Sequence, residues 1–179
     1  MITINTKNMR KLIFILLLTP LFSFSQNTSV FIKIIDAAGL QIKGESTTKG
    51  FERNIQATST STAGKNNSQF NFTMTVSGAS ADLKKAMANG QSLPTAEVIA
   101  TVPNGGGAPA ISYTIKMEQV KVISCTESMG CNAIMNTTVS LQATRIGWTY
   151  YTPNPRGGAS IVSRKFGWDV ATNTEWTNF

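Results

Sequence analysis

Two stretches of alternating apolar and polar residues decide the fold: residues 111–124, ISYTIKMEQVKVIS, and residues 137–151, TTVSLQATRIGWTYY. Strict alternation is typical of a β-strand with one buried face. In each stretch the alternation changes phase once, near Glu118-Gln119 and near Thr144-Arg145. A slip of one residue would turn the later side chains to the wrong face, so we predict a bulge or sharp bend at both places. If the stretches pair as a hairpin, the bends fall nearly opposite each other, and such a hairpin can form the wall of a barrel.

The same alternation recurs on both sides of this hairpin. Apolar residues occupy every second position in Phe70–Val76, in Ala96–Val102 and again from residue 166 to residue 170. Each run predicts a further strand. The Ser-, Thr- and Asn-rich residues Thr58–Ser68 predict a loop.

A single helix is predicted, of about ten residues. Ser80 is suited to be its N-cap, Leu83, Ala86 and Met87 form an apolar face, and Gly90 is suited to end it. The sequence therefore predicts a mainly β protein, a small bent antiparallel β-barrel with one short α-helix packed at its side.

Composition excludes several classes of enzyme. The chain has 179 residues with 16 Lys+Arg, 9 Asp+Glu, no His and two Cys. Without histidine there is no Ser-His-Asp or Cys-His couple and no His-ligated zinc. Two cysteines cannot supply a four-thiolate metal site. We expect no catalytic residues, no metal and no cofactor. Although the net charge is +7, the basic residues do not cluster, so nucleic acid is not an expected partner.

The first 25 residues have the pattern of a secretory signal peptide. Lys7, Arg10 and Lys11 precede an apolar run of 11 residues, Leu12 to Phe22. Small residues follow at the positions that a signal peptidase requires, which predicts cleavage between Ser25 and Gln26. The run is shorter than the roughly 20 residues that a transmembrane helix needs. We expect export, a mature domain of residues 26–179, no stable membrane insertion after cleavage, and a location in the periplasm or outside the cell. The alternatives for this segment are an N-terminal membrane anchor or a buried strand.

The two cysteines, Cys125 and Cys131, lie close together between two predicted antiparallel strands. In an exported protein such a pair predicts a disulfide that staples the tip of a hairpin. The alternative is two unpaired thiols.

The order of these segments resembles the haemolysin-coregulated protein (Hcp) family, the tube subunit of bacterial type VI secretion systems. The likeness covers nearly all of residues 29–177, and its most telling pieces are Lys43-Gly44-Glu45-Ser46, Tyr151-Thr152-Pro153 and Lys165-Phe166-Gly167-Trp168-Asp169. The resemblance implies a small β-barrel with a helix at its side. It also implies a noncatalytic subunit that forms hexameric rings, which stack into a tube whose lumen holds small secreted proteins.

Two features depart from the pattern of the family. Its tube subunits normally assemble from the cytoplasm without a cleaved signal, and its extended stacking loop would fall in Thr58–Ser68, where this chain is short. In a ring, five aromatic residues would supply contact area between subunits, although they could equally fill the barrel core: Trp148, Tyr150, Tyr151, Phe166 and Trp168.

Two other functions are compatible with the sequence. One is a monomeric secreted β-barrel that serves as a binding or adhesion module. The other is a hydrolase that uses two carboxylates, but the nine acidic residues are scattered and no two of them share a motif: Asp36, Glu45, Glu52, Asp82, Glu97, Glu118, Glu127, Asp169 and Glu175.

Overall fold

The computed structural model describes residues 28–62, 68–104, 108–129, 133–152, 154 and 158–179. Within them the protein is mainly β, as predicted, with ten strands and one helix. In chain order the elements are β1 (Ser29–Ile35), β2 (Ile55–Ala57), β3 (Ser59–Thr62), β4 (Gln69–Thr75), α1 (Gly78–Ala88), β5 (Ser92–Val102), β6 (Ala110–Met129), β7 (Met135–Gln142), β8 (Arg145–Thr152), β9 (Ile161–Asp169) and β10 (Thr174–Glu175).

All ten strands belong to one antiparallel sheet that is curled but does not close as a barrel. Its main path runs β10-β9-β8-β6-β5-β1-β2, and a branch leaves β6 through β7 to β4 and β3. The barrel closure expected from the sequence is therefore wrong. Only Thr58 separates β2, which pairs with β1, from β3, which pairs with β4. The chain thus crosses the gap between the two ends of the curl, but β2 and β4 are not paired there.

The long hairpin forms as predicted, with its bend where the phase changes. Strand β6 pairs with β8 as far as Glu118↔Arg145, and with β7 from Lys121↔Gln142 onwards. Between these ladders Gln119 has a left-handed φ of 52°, a conformation that non-glycine residues seldom adopt. Opposite Gln119, the regular strand is interrupted between the end of β7 and the start of β8. There the Thr144 amide donates a hydrogen bond to the Glu118 carbonyl at 3.1 Å.

Three further register shifts had no signal in the sequence. Single extra residues lie opposite β5, β7 and β8, and they are Ser112, Ile123 and Ser163. The hydroxyl groups of Ser112 and Ser163 each donate to a carbonyl across the ladder at 3.1 Å, to Ala100 and to Tyr150. These bonds hold the two serine bulges in place.

The segment expected to be a loop, Thr58–Ser68, begins instead with a strand. Residues Ser59–Thr62 pair with β4 from Ser59↔Thr73 to Thr62↔Phe70. Because all four side chains are polar and exposed, no apolar alternation marked this strand. Residues 63–67 of the expected loop lie outside the described part.

The helix begins three residues earlier than predicted. Its N-cap is Ser77 and its C-cap is Asn89, so Ser80 lies in the first turn. There the Ser80 hydroxyl accepts a hydrogen bond from the Ser77 amide at 3.1 Å and bonds the Thr137 hydroxyl at 2.9 Å. The predicted cap therefore ties the helix to β7. Gly90 follows the helix with a φ of 58°, as expected of its end.

The core fills the concave side of the curl. Phe70, Phe72 and Met74 of β4 are each 1% exposed, and Leu83 of α1 packs against the same cluster. A smaller cluster lies on the other side of the sheet, where the rings of Phe31 and Phe51 stack 4.6 Å apart beside Ile99. Strand β5 is therefore buried on both faces at Val98 and Ile99.

Candidate assembly surface

Strands β8 and β9 form the end of the sheet beyond β6, and we call them the arm. Residues paired across neighbouring strands point to the same side of a sheet. Trp148 lies opposite Ile115 of β6 and opposite Phe166 of β9, and Ile146 lies opposite Trp168. Since Ile115 and Ile146 belong to the core, the same face continues outwards from the core along the arm.

Aromatic side chains cover this face of the arm, and we call it the open face: Tyr113, Trp148, Tyr150, Phe166 and Trp168. The rings of Trp148 and Phe166 lie 5.7 Å apart, and those of Phe166 and Trp168 lie 6.4 Å apart. Phe166 and Tyr150 are each 49% exposed, whereas Trp148 is half-buried against the core. No strand or helix within the described residues covers these rings.

Four of the five aromatic residues singled out in the sequence therefore share one surface. The fifth, Tyr151, points to the other side, where it lines a cavity of about 550 Å³ with Phe51 and Ile111. Tyr113 was not singled out, although its cross-strand pairing with Tyr150 places the two rings 4.9 Å apart. Burial, followed by the neighbouring Tyr150, raises the pKa of the Tyr113 phenol. The paired rings of Tyr113 and Tyr150 therefore extend the aromatic surface to this end of the open face.

The last residues of the chain cover the opposite face of the arm. A Cβ atom built on Gly147 or Gly167 would lie 2.5 Å from ring atoms of Phe179. Only glycine allows so close an approach. Trp176 is buried beside them, and the Lys165 ammonium lies 4.0 Å from the centre of the Phe179 ring while it donates to the Phe179 carbonyl. The arm is therefore covered on one face and open on the other.

Strand β9 is exposed on both faces over its first six residues. Ile161 and Val162 are 50% and 53% exposed. Trp168 and Asp169 pair with β10, and the Gly167 carbonyl accepts a hydrogen bond from the Trp176 amide at 2.9 Å, so within the described residues the outer edge of β9 has no paired strand from Ile161 to Phe166. Exposed apolar strand edges favour pairing with another chain.

An ion-pair cluster fixes the inner end of the arm. The Arg145 Nε atom lies 2.7 Å from Asp169 Oδ2, and its Nη1 atom lies 3.6 Å from Glu118 Oε2. Asp169 also accepts hydrogen bonds from the amides of Ala171 and Thr172. The Arg145 guanidinium, followed by these amides, lowers the pKa of Asp169. Of the nine scattered acidic residues, Glu118 and Asp169 are thus brought together by a structural arginine rather than around a cleft.

A family comparison identifies the protein. The sequence model described as type VI secretion system effector, Hcp, matches residues 31–150, well over half of the chain. The chain belongs to the Hcp family.

Solved structures share the fold of this Hcp-family chain. Hcp1 from Salmonella typhimurium is 22% identical and has a TM-score of 0.68, over 83% of this chain and 99% of that one. A type six secretion system protein is 21% identical with a TM-score of 0.70, over 84% and 100%. A type VI secretion system effector from Yersinia pestis is 20% identical with a TM-score of 0.63, over 78% and 98%. No curated protein matches the chain by sequence.

Two sites predicted from the sequence stay predictions for this Hcp-family chain. The signal peptide and its cleavage site, Ser25 and Gln26, lie outside the described residues, as does Cys131. Cys125 is buried opposite Val139 and has no disulfide partner among the described residues, and burial raises the pKa of its thiol.

Neither a metal centre nor a membrane span is visible in the described part. There, no three His, Cys, Asp or Glu side chains are grouped so that they could hold a metal ion. No helix of the described chain is both long enough and apolar enough to cross a bilayer.

Proposed function

We propose that this Hcp-family protein is a noncatalytic structural subunit that assembles head to tail into a hexameric ring related to the type VI secretion tube. The open face is the observation that supports this most directly. It extends an apolar core to the surface and leaves large aromatic side chains uncovered. Exposed apolar patches of this kind mark interaction sites, and a head-to-tail ring requires two different patches on each subunit.

In this proposal the ring encloses a lumen that carries small secreted proteins, and rings stack into a tube. The subunit contributes surfaces rather than chemistry. Its partners are other copies of the chain and the carried proteins, without nucleic acid and without stable insertion in a membrane.

Export completes the proposal. Residues 1–25 direct the chain through the general secretion pathway, cleavage between Ser25 and Gln26 releases the mature domain, and assembly follows in the periplasm or outside the cell. In that oxidising location Cys125 and Cys131 form a disulfide. Intact mass of the protein from the periplasm of a Gram-negative host tests both steps. The expected mass is that of residues 26–179, and it rises by two hydrogens on reduction.

Mass photometry and negative-stain electron microscopy of the same protein test assembly. We expect ring particles at micromolar concentration. Monomers alone, even at high micromolar concentration, would refute the ring. They would favour a monomeric secreted binding or adhesion module, in which the open face receives a ligand instead of a second copy.

A further inference from the structure

The two strands of the β6–β7 hairpin end on a pair of methionines. Met129 is the last residue of β6, Met135 is the first residue of β7, and the two lie directly opposite each other. Met129 is 68% exposed and Met135 is 41% exposed. The other methionines of the described chain, Met74, Met87 and Met117, belong to the core or pack against it. Within that part of the chain, this pair alone presents thioether side chains to solvent.

Both side chains lie on one face of the hairpin. Residues paired across neighbouring strands point to the same side of a sheet, with their Cβ atoms about 4.5–5.5 Å apart. The Met135 carbonyl accepts a hydrogen bond from the Val76 amide at 3.0 Å, which fixes the backbone of this rung to the end of β4. Because the methionine side chain is unbranched and flexible, Met129 and Met135 can bring their sulfur atoms to a common point above the rung.

The donors of this pair are neutral, and the carboxylate closest to them in sequence is already paired. Glu127 lies two residues before Met129, on the same face of β6. It forms an ion pair with Lys84 of α1 at 2.6 Å. Ile134, beside Met135, is apolar and 51% exposed. Hard cations such as Mg²⁺ and Ca²⁺ require oxygen ligands, so these surroundings favour a soft ion instead.

We propose that Met129 and Met135 bind Cu(I) between their two sulfur atoms. Thioether and thiolate ligands select Cu(I), whereas carboxylates and carbonyls suit Mg²⁺ and Ca²⁺. This kind of site contains none of the His, Cys, Asp and Glu ligands that most protein metal centres use. Two neutral ligands leave coordination positions open on the ion, so the site exchanges Cu(I) with other carriers rather than storing it. The site does not depend on the ring proposed above.

Titration of the purified protein with silver nitrate in a chloride-free buffer, followed by native mass spectrometry, tests the site. Ag(I) is a soft monovalent ion like Cu(I) and does not change its oxidation state in air. Cysteine thiolates also bind soft ions, so the titration uses the Cys125→Ala/Cys131→Ser double variant, in which the sulfur ligands are all thioethers. We expect one bound ion per chain, and we expect it to shift the methyl NMR signals of Met129 and Met135.

Two leucine variants, made in the same thiol-free background, locate the ion. Met129→Leu and Met135→Leu each remove one sulfur atom and nearly preserve the volume of the side chain. Since loss of the groups that merely support a metal ligand costs about 10–100-fold in affinity, loss of a ligand should weaken binding at least about tenfold. Met87→Leu is the matched control, because Met87 packs against the core. Thermal unfolding confirms that all variants fold.

Titration with Cu(I), kept reduced by ascorbate, should rank the variants as Ag(I) does. Zn²⁺ should not bind to the pair, because it is held by thiolates, imidazoles and carboxylates. Failure of the thiol-free protein to bind Ag(I) or Cu(I) overturns the site. Binding that survives both leucine substitutions, or that Met87→Leu weakens equally, overturns it as well. Zn²⁺ bound at the pair as tightly as Cu(I) overturns the assignment to a soft ion.

Discussion

Strands β4 and β9 have the same apolar alternation and opposite surroundings. In β4 the alternating residues Phe70, Phe72 and Met74 are each 1% exposed, beneath a helix and inside the curl. In β9 and just beyond it, Phe166 is 49% exposed and Val170 is 37% exposed. Alternation therefore predicts which face of a strand is apolar, but not what covers that face. In β4 the cover is the rest of the same chain, and for β9 we propose that it is another copy.

The largest expected effect on stability comes from removing a buried ring of β4. Phe72→Ala should lower the free energy of unfolding by about 3–5 kcal/mol, because it leaves a cavity in a packed core. Phe166→Ala should change it by no more than about 1 kcal/mol, because half of the ring is already in water. Denaturant unfolding of the two variants measures the difference. Equal losses would mean that β9 is as well covered as β4.

A second effect concerns the covered face of the arm. Gly167→Ala should lower the free energy of unfolding by about 1–3 kcal/mol, because the new methyl group would lie 2.4 Å from the Trp176 carbonyl oxygen. Gly78→Ala is the matched control, since nothing lies within 4 Å of the added carbon. The same unfolding experiment applies. An unchanged Gly167→Ala variant would show that the last residues do not pack on the arm.

A third effect separates assembly from stability on the open face. Phe166→Ser should weaken association about tenfold, or about 1.4 kcal/mol, while the melting temperature changes little. Leu40→Ser is the control, because Leu40 is 66% exposed on a turn remote in sequence from the arm. Mass photometry over a dilution series measures both variants. A loss of assembly caused equally by Leu40→Ser would contradict a specific role for the open face.

The smallest expected effect concerns the ion pair between Arg145 and Asp169 at the inner end of the arm. Since Arg145 lowers the pKa of Asp169 in the folded state, this carboxylate stabilises the fold above its unfolded pKa of about 3.9. That contribution is lost as the pH falls through the lower, folded value. Asp169→Asn should therefore melt below the wild type at neutral pH, and the difference should shrink in strong acid. Differential scanning calorimetry across that range measures it, and a constant difference would contradict the ion pair.

Much of the fold was predictable because the residues that decide it are apolar. The two phase changes located the bend at Gln119 and the break before Arg145. Strand β3 was missed because a run of Ser and Thr on an exposed edge has no apolar alternation. The cap of the helix was misplaced because Ser77 and Ser80 are both serine, and only the three-dimensional contact with Thr137 distinguishes them.

The candidate surface was only partly predictable. Aromatic residues in β8 and β9 were visible in the sequence, but whether they face a core or solvent depends on what packs above the arm. The sequence does contain a signal that the last residues cover the other face of the arm, but it was not recognised. Gly147 and Gly167 interrupt predicted strands, and glycine in a strand often marks a close approach by another segment.

Strand β6 pairs both with β7 in the curled part of the sheet and with β8 of the arm, and this has a consequence for assembly. Its 20 residues give a backbone of roughly 65 Å that belongs to the curl at one end and supports the arm at the other. The direction of the arm is therefore set by the angle at Gln119 rather than by a hinge in a loop. If copies join through the arm, this one backbone conformation determines the radius of the assembly and hence the number of subunits that close the circle.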